Sequence, residues 1–351
     1  RIERKLGRGG FGSVYLAKHV ETGGELAVKF LRGDLIDHPN IIKRFYVEAQ
    51  NTHRLRHPNT VRVHDFGRTP EGALYLVMEY VEGHTLESVM ADGAQVSVQR
   101  TLRIIAQVLK SLGEAHQLRL VHRDIKPANI MLVDQFGEPD FVKVLDFGIS
   151  RSLDSTGITS KSLVGTPRYM APEQWLALPI DARLDLYAVG CLMVEMLTGR
   201  FPYPLESGEI HPMTLMHCHV QGVMIHPNRH LDTPLSEPLV DLLTALLSKA
   251  PEGRPTTAGD VLELLALTPE GQASGMSPIA APAPPPAGVG DRPGDTVETV
   301  PEFMKKDDHD EAGLARDPAD QASPPDSRRP NAPSAFRLWL AGALVASAVF
   351  A

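Results

Sequence analysis

Val121-His122-Arg123-Asp124-Ile125-Lys126-Pro127-Ala128-Asn129-Ile130-Met131-Leu132 sets a carboxylate, two cations and a carboxamide between apolar flanks. Charges in apolar surroundings are costly unless each has a partner or a task, so this string has the composition of a site. Asp124 can accept a proton from an attacking hydroxyl. Lys126 can neutralise a transferring anionic group, and Asn129 can offer a neutral oxygen to a metal ion.

The neighbouring segments supply the rest of such a chemistry. Gly7, Gly9 and Gly12, followed by Val14, fit GxGxxGxV, where missing side chains let backbone N–H groups approach phosphate oxygens. A dinucleotide fingerprint has the same glycines but opens a helix, whereas Ser13-Val14-Tyr15-Leu16-Ala17 is β-prone and alternating. Leu26-Ala27-Val28-Lys29 closes a third strand. The positions Ile41, Phe45 and Leu55 recur at helical spacing with Glu48 on the same stripe, and an inward carboxylate needs a cation. Leu74 to Tyr80 reads as a strand ending at Gly83. Ser97 can cap a helix whose apolar face runs Val98, Leu102, Ile105, Leu109, Leu112 and His116, with His116 a packed core histidine. Ile130 to Val133 and Val142 to Leu145 are apolar strands around a polar turn at 134–140, and the second delivers Asp146-Phe147-Gly148. A carboxylate at a strand end, followed by an aromatic anchor and a glycine, suits a metal ligand.

Together HRDxKPxN, the glycine loop, Ala27-Val28-Lys29, Asp146-Phe147-Gly148, Gly165-Thr166 and Ala171-Pro172-Glu173 resemble the motifs of eukaryotic-type (Hanks-type) serine/threonine protein kinases, in order from about Leu6 to Leu267. The resemblance implies an α+β, two-lobed protein-kinase-like fold with nucleotide in the cleft. A small β-rich lobe would span about 1–79 and a larger helical lobe about 84–268. It implies ATP as phosphoryl donor and Mg²⁺, with Mn²⁺ as a substitute, held by Asn129 and Asp146. Catalysis would fall to Asp124, Lys126, Lys29, Glu48 and Thr166, with Glu48 orienting Lys29. ATP would contact Leu6, Gly7, Gly9, Gly10, Phe11, Gly12, Val14, Ala27, Lys29, Met78, Glu79, Val81 and Met131, with Met78 as gatekeeper. Asp185 would cap its helix or accept amide hydrogens from the catalytic loop, and Arg254 would pair with Glu173. The segment 149–170, dense in Ser, Thr and Gly, resembles an activation segment with phosphorylation at one or more of Thr159, Ser160 and Ser162, and the resemblance implies that Arg123, which precedes Asp124, belongs to a basic pocket for the phosphate. Thr296 and Thr299 are further candidates.

A formal net charge of -8 argues against nucleic acid as a partner, and two cysteines, Cys191 and Cys218, supply no disulfide framework and fit a reducing compartment. The partners implied are proteins with Ser or Thr acceptors, and a kinase dimer is compatible with the resemblance. His211, His217, Cys218, His219, His226 and His230 form a loose cluster without paired spacing, so zinc is not expected there. Residues 269–335 are rich in Pro, Ala, Gly, Ser and Asp and read as a disordered juxtamembrane linker. Residues 336–351 are almost wholly apolar and read as the start of a transmembrane helix cut by the chain end. Arg328 and Arg329 before it and Arg337 at its N-terminal end would leave the kinase in the cytoplasm, on a single-pass inner-membrane protein. The bacterial receptor-like kinases have this layout. A pseudokinase scaffold would lack Lys29, Asp124 or Asp146, a small-molecule phosphotransferase would lack the Gly-Thr loop and Ala-Pro-Glu anchor, and an adaptor role for the linker stays open.

Overall fold

Alternating β-prone residues at the N-terminus form a meander of β1 (Ile2–Gly9), β2 (Gly12–Lys18) and β3 (Glu25–Leu31) in the computed structural model, which describes residues 1–9, 12–31, 39–135, 137–147, 167–205 and 211–277. Helix α1 (Pro39–His53) follows, then β4 (Val63–Arg68) and β5 (Leu74–Glu79), giving one sheet of order β1-β2-β3-β5-β4. Gly12 is required at the β2 start, because a Cβ there would lie 2.0 Å from the Phe30 carbonyl oxygen. The apolar side of α1, Phe45 and Ala49, packs with Val61, Val63, Leu74, Leu76 and Met78 as the core of this lobe.

After Glu79 the chain passes to β6 (His84–Thr85), the short α2 (Leu86–Val89), α3 (Val98–Gln117), β7 (Ile130–Gln135) and β8 (Glu138–Val144). The strands form a second sheet, β6-β7-β8. Ser97 caps α3 by accepting from Arg100 N at 3.4 Å, and every position of the expected apolar stripe from Leu102 to Leu112 is buried. Then come α4 (Pro172–Trp175), α5 (Arg183–Thr198), α6 (Pro212–Gln221), α7 (Glu237–Leu246), α8 (Ala258–Leu267) and α9 (Pro269–Ala273). Helix α5 is buried around nearly its whole circumference, as a helix apolar on all sides must be. It ends at Gly199, whose φ of 65° is left-handed and where a Cβ would lie 2.1 Å from the Gly93 oxygen.

Three expectations need correction. Leu55 lies beyond the end of α1 and is buried in the core of the helical lobe, because the segment after α1 leaves the small lobe. Glu114 on α3 accepts from Arg56 N at 2.9 Å and from His57 N at 2.8 Å, which draws this segment across. The turn placed at 134–140 is shorter: Asp140 belongs to β8, is 6% exposed, and receives a two-pronged bond from Arg100 at 2.9 and 2.7 Å. Finally, the folded unit does not stop at 268. Thr268 caps α9, and Glu270 accepts from Ser236 N and Oγ at 2.7 Å each, so 269–273 are held to the helical lobe and not part of a linker. Among the described residues no helix is long and apolar enough to cross a membrane, and the expected linker and span beyond 277 lie outside them.

Candidate active site

The loop between α3 and β7 is organised by a carboxylate from another element. Asp185, in the first turn of α5 and fully buried, accepts from His122 N at 2.8 Å, from Arg123 N at 2.8 Å and meets His116 Nε2 at 2.9 Å. Arg123 has a φ of 67°, a conformation that costs a non-glycine residue about 1–2 kcal/mol, so the bonds to Asp185 hold a strained residue directly before Asp124. His116, expected only as core filler, is thereby a partner of Asp185. His122 is buried as well. Its Nε2 lies 2.7 Å from the Leu145 carbonyl oxygen and must donate to it, which leaves Nδ1 to accept from Asp124 N at 3.2 Å. One imidazole therefore links the backbone of the catalytic loop to the residue preceding Asp146.

Asp124 sits at the centre. Lys126 Nζ donates to its Oδ2 at 2.8 Å, and Asn129 Nδ2 donates to its main-chain oxygen at 2.8 Å and to Oδ2 at 3.0 Å. With Nδ2 so engaged, Oδ1 is the atom of the Asn129 amide that would serve as a metal donor. Across the cleft Lys29 Nζ donates to Asp146 Oδ1 at 2.8 Å. Asp146 too is left-handed, with φ 54°, and its neighbour Phe147 is buried with its ring 4.6 Å from that of His122. Burial pushes the Asp146 carboxyl up, but the Lys29 ammonium, helped by Lys126, outweighs it and holds the group below the usual carboxylate range. Asp146 is thus an anion ready for a cation. A carboxylate and a carboxamide oxygen are the hard donors Mg²⁺ takes when phosphates and water supply its other ligands, so the residues fit that ion.

Several of the residues expected to contact nucleotide lie on adjoining strands. Lys29 on β3 pairs with Leu76 and Ala27 with Met78, so the lysine and the gatekeeper lie on adjoining strands. Val14 faces Lys29 from β2. Met131 lies on β7 in the lower sheet, and Glu79 ends β5. Glu48 is half-buried on α1. Gly10, Phe11, Gly148, Thr159, Ser160, Ser162 and Thr166 lie outside the described residues.

Below the catalytic loop a cavity of about 530 Å³ is lined by Glu87, Met90, Lys126, Arg168, Tyr169 and Glu195 among others. Glu195 is engaged there by Arg168 at 3.0 Å and by the Tyr169 hydroxyl. Glu173 and Arg254 make the expected pair, with bonds of 2.6 and 2.9 Å at 3% and 0% side-chain exposure. Two histidines of the cluster have other occupations. His219 is buried with Nδ1 2.8 Å from the Tyr187 hydroxyl, and His211 caps α6. No group of His, Cys, Asp or Glu among the described residues is placed to hold a metal ion by itself. Sequence reasoning missed His116, His122, Asp140 and Lys143, whose partners lie 23 to 69 residues away and leave no local signal.

Comparison with known proteins gives a consistent picture. Residues 1–265 match the protein kinase domain family. The chain is 38% identical over 264 residues to the serine/threonine-protein kinase pkn3 of Myxococcus xanthus, covering 74% of this chain and 48% of that one. It is 38% identical over 275 residues to PknB of Mycolicibacterium smegmatis, covering 76% and 42%. The chain thus spans less than half the length of these relatives. Among solved structures, the PknI kinase domain of Mycobacterium tuberculosis superposes with a TM-score of 0.55 at 27% identity, over 74% of this chain and 91% of that one.

Proposed function

The chain belongs to the protein kinase domain family, and from this premise we propose that it is a serine/threonine kinase that transfers the γ-phosphoryl group of ATP to protein hydroxyls, its own included. The observation that carries the reading is the gathering of Lys126 and Asn129 on the Asp124 carboxylate, at 2.8 and 3.0 Å, with a Lys29–Asp146 pair at 2.8 Å. Asp124 orients the acceptor hydroxyl and takes its proton as the oxygen attacks. Lys126, already bonded to Asp124, balances negative charge as it passes to the transferred group. Lys29 reaches phosphate oxygens from β3, and pairing with Glu48 would aim it. Asp146 and Asn129 would hold Mg²⁺ or Mn²⁺, which when bound neutralises phosphate charge and aligns the donor. The preference for Ser and Thr rests on Lys126 and on the Gly165-Thr166 motif, from which Thr166 would contact the Asp124 and Lys126 pair as the resemblance implies.

Phosphorylation at Thr159, Ser160 or Ser162 would switch activity. A phosphate adds about -1.5 to -2 of charge and can bind the guanidinium of Arg123. We propose further that 336–351 enter a bilayer with the kinase on the cytoplasmic side, the three arginines at and before its N-terminal end supporting that orientation.

The test is transfer of labelled phosphate from Mg-ATP to the chain itself and to a basic protein, with Asp124→Asn as the comparison. Absence of transfer with either Mg²⁺ or Mn²⁺ would leave a nucleotide-binding scaffold in its place. Protease added outside intact cells should spare the kinase domain, and its digestion would reverse the membrane orientation.

A further inference from the structure

Lys143 has no part in the machinery described so far. It lies on β8, and its Nζ donates to Glu79 Oε1 at 2.7 Å, with 18% of the lysine and 27% of the glutamate side chain exposed. The same Oε1 accepts from Arg62 N at 2.9 Å, and Glu79 N donates to Arg62 O at 2.9 Å. Glu79 is the last residue of β5, immediately before the connection between the lobes, and pairs with Leu26 of β3. On the other side, Lys143 is the cross-strand partner of Met131. Directly opposed residues send their side chains to one face of a sheet, so the lysine rises beside the methionine that floors the nucleotide cleft. The main chain of β8 is itself tied to the segment entering β4, through Val61 N to Val144 O at 2.9 Å and Val144 N to Asn59 O at 2.7 Å.

The ion pair therefore joins elements of two different sheets, which on the ATP reading are two sides of the nucleotide site. One is the connection 79–81, whose main chain would receive the adenine edge. The other is the Met131 floor beneath the base. We propose that Lys143 is a positioning residue for the adenine nucleotide, holding the Glu79 carboxylate so that connection and floor keep the spacing of the base between them. The proposal rests on the reading that this cleft binds ATP. A lysine placed merely for surface charge would leave nucleotide affinity untouched. Here, removal of the ammonium leaves a mostly buried carboxylate with Arg62 N as its remaining strong partner among the described residues, and the connection can relax away from the floor.

The experiment uses the full chain. Dissociation constants for Mg-ADP are measured by calorimetry for wild type, Lys143→Met, Lys143→Arg, Glu79→Gln and the Met/Gln double variant, and amide exchange at residues 79–83 is followed without nucleotide. Lys143→Met keeps the stem and should weaken ADP binding about fivefold while speeding exchange of the connection. Lys143→Arg should stay within about twofold of wild type, and Glu79→Gln, which can still accept from Arg62 N, should match the Met variant without adding to it. KM for ATP should rise with the dissociation constant, while KM for a protein substrate stays unchanged. Unaltered affinity and exchange in Lys143→Met would overturn the proposal, as would an equal loss in Lys143→Arg. Should the Met variant fold poorly, Glu79→Gln reads the same link and decides alone. A wild-type chain that bound no nucleotide would bring down the kinase reading itself, and this inference with it.

Discussion

Asp185→Asn offers the sharpest test of how the catalytic loop is held. The substitution keeps shape and volume but turns one oxygen into an NH₂ group. Oδ2 faces two donors, His122 N and His116 Nε2, while Oδ1 faces only Arg123 N, so the amide nitrogen will settle toward Arg123. There it meets another N–H. One charge-assisted bond worth about 1.5–3 kcal/mol is lost, and a buried donor is left without an acceptor. The net cost should be about 3 kcal/mol, or roughly 6–12 °C in melting temperature for a unit of this size. Because Arg123 is left-handed, its release lets the backbone relax and carries Asp124 with it. A displacement of about 1 Å at a reacting group can cost about a hundredfold in rate, so kcat should fall by that order while the dissociation constant of Mg-ADP stays within about twofold. Differential scanning calorimetry and steady-state phosphorylation read the two effects. A variant that melts lower yet turns over at the wild-type rate would refute the claim that Asp185 acts through Arg123 on Asp124.

Asp124→Asn should lower kcat by several orders of magnitude with little loss of stability, as judged by melting and single-turnover kinetics. Lys29→Met and Glu48→Ala should each impair phosphorylation and combine far less than additively in a double-mutant cycle; additive losses would show that the two do not act as a pair. Breaking the buried Glu173–Arg254 pair with Arg254→Ala should cost about 3–5 kcal/mol in urea unfolding, since Glu173 is left charged and buried. Burial, reinforced by Lys249, lowers the pKa of His219 to about 3. The unfolded chain therefore binds a proton that the folded one refuses, and this contribution to stability is lost as pH falls from about 6.5 toward 3, by at most about 1.4 kcal/mol per pH unit. His219→Phe should flatten that part of the pH–stability curve. The triple alanine variant at Thr159, Ser160 and Ser162 should keep nucleotide binding and lose most activity toward an added protein, and undiminished activity would remove the switch.

Local patterns along the chain sufficed to place several elements and the polar string between α3 and β7. The β1–β3 meander, the α3 stripe and the string from His122 to Asn129 are local patterns, legible because side-chain periodicity and residue chemistry act within a few positions. Resemblance added the Glu173–Arg254 pair and the amide-accepting role of Asp185, which spacing alone does not reveal. Tertiary structure decided what supports these groups. His116 and His122 looked like core and motif residues, yet their roles come from Asp185 and the Leu145 oxygen, 69 and 23 residues away. Asp140 read as a turn residue until Arg100 on α3 engaged it, Leu55 moved to the other lobe, and α9 continued the fold past 268. Lys143 had no motif at all. A hydrogen bond needs its partners within about 3 Å, and which distant residues come that close is set by how helices and sheets pack, not by the order of residues along the chain.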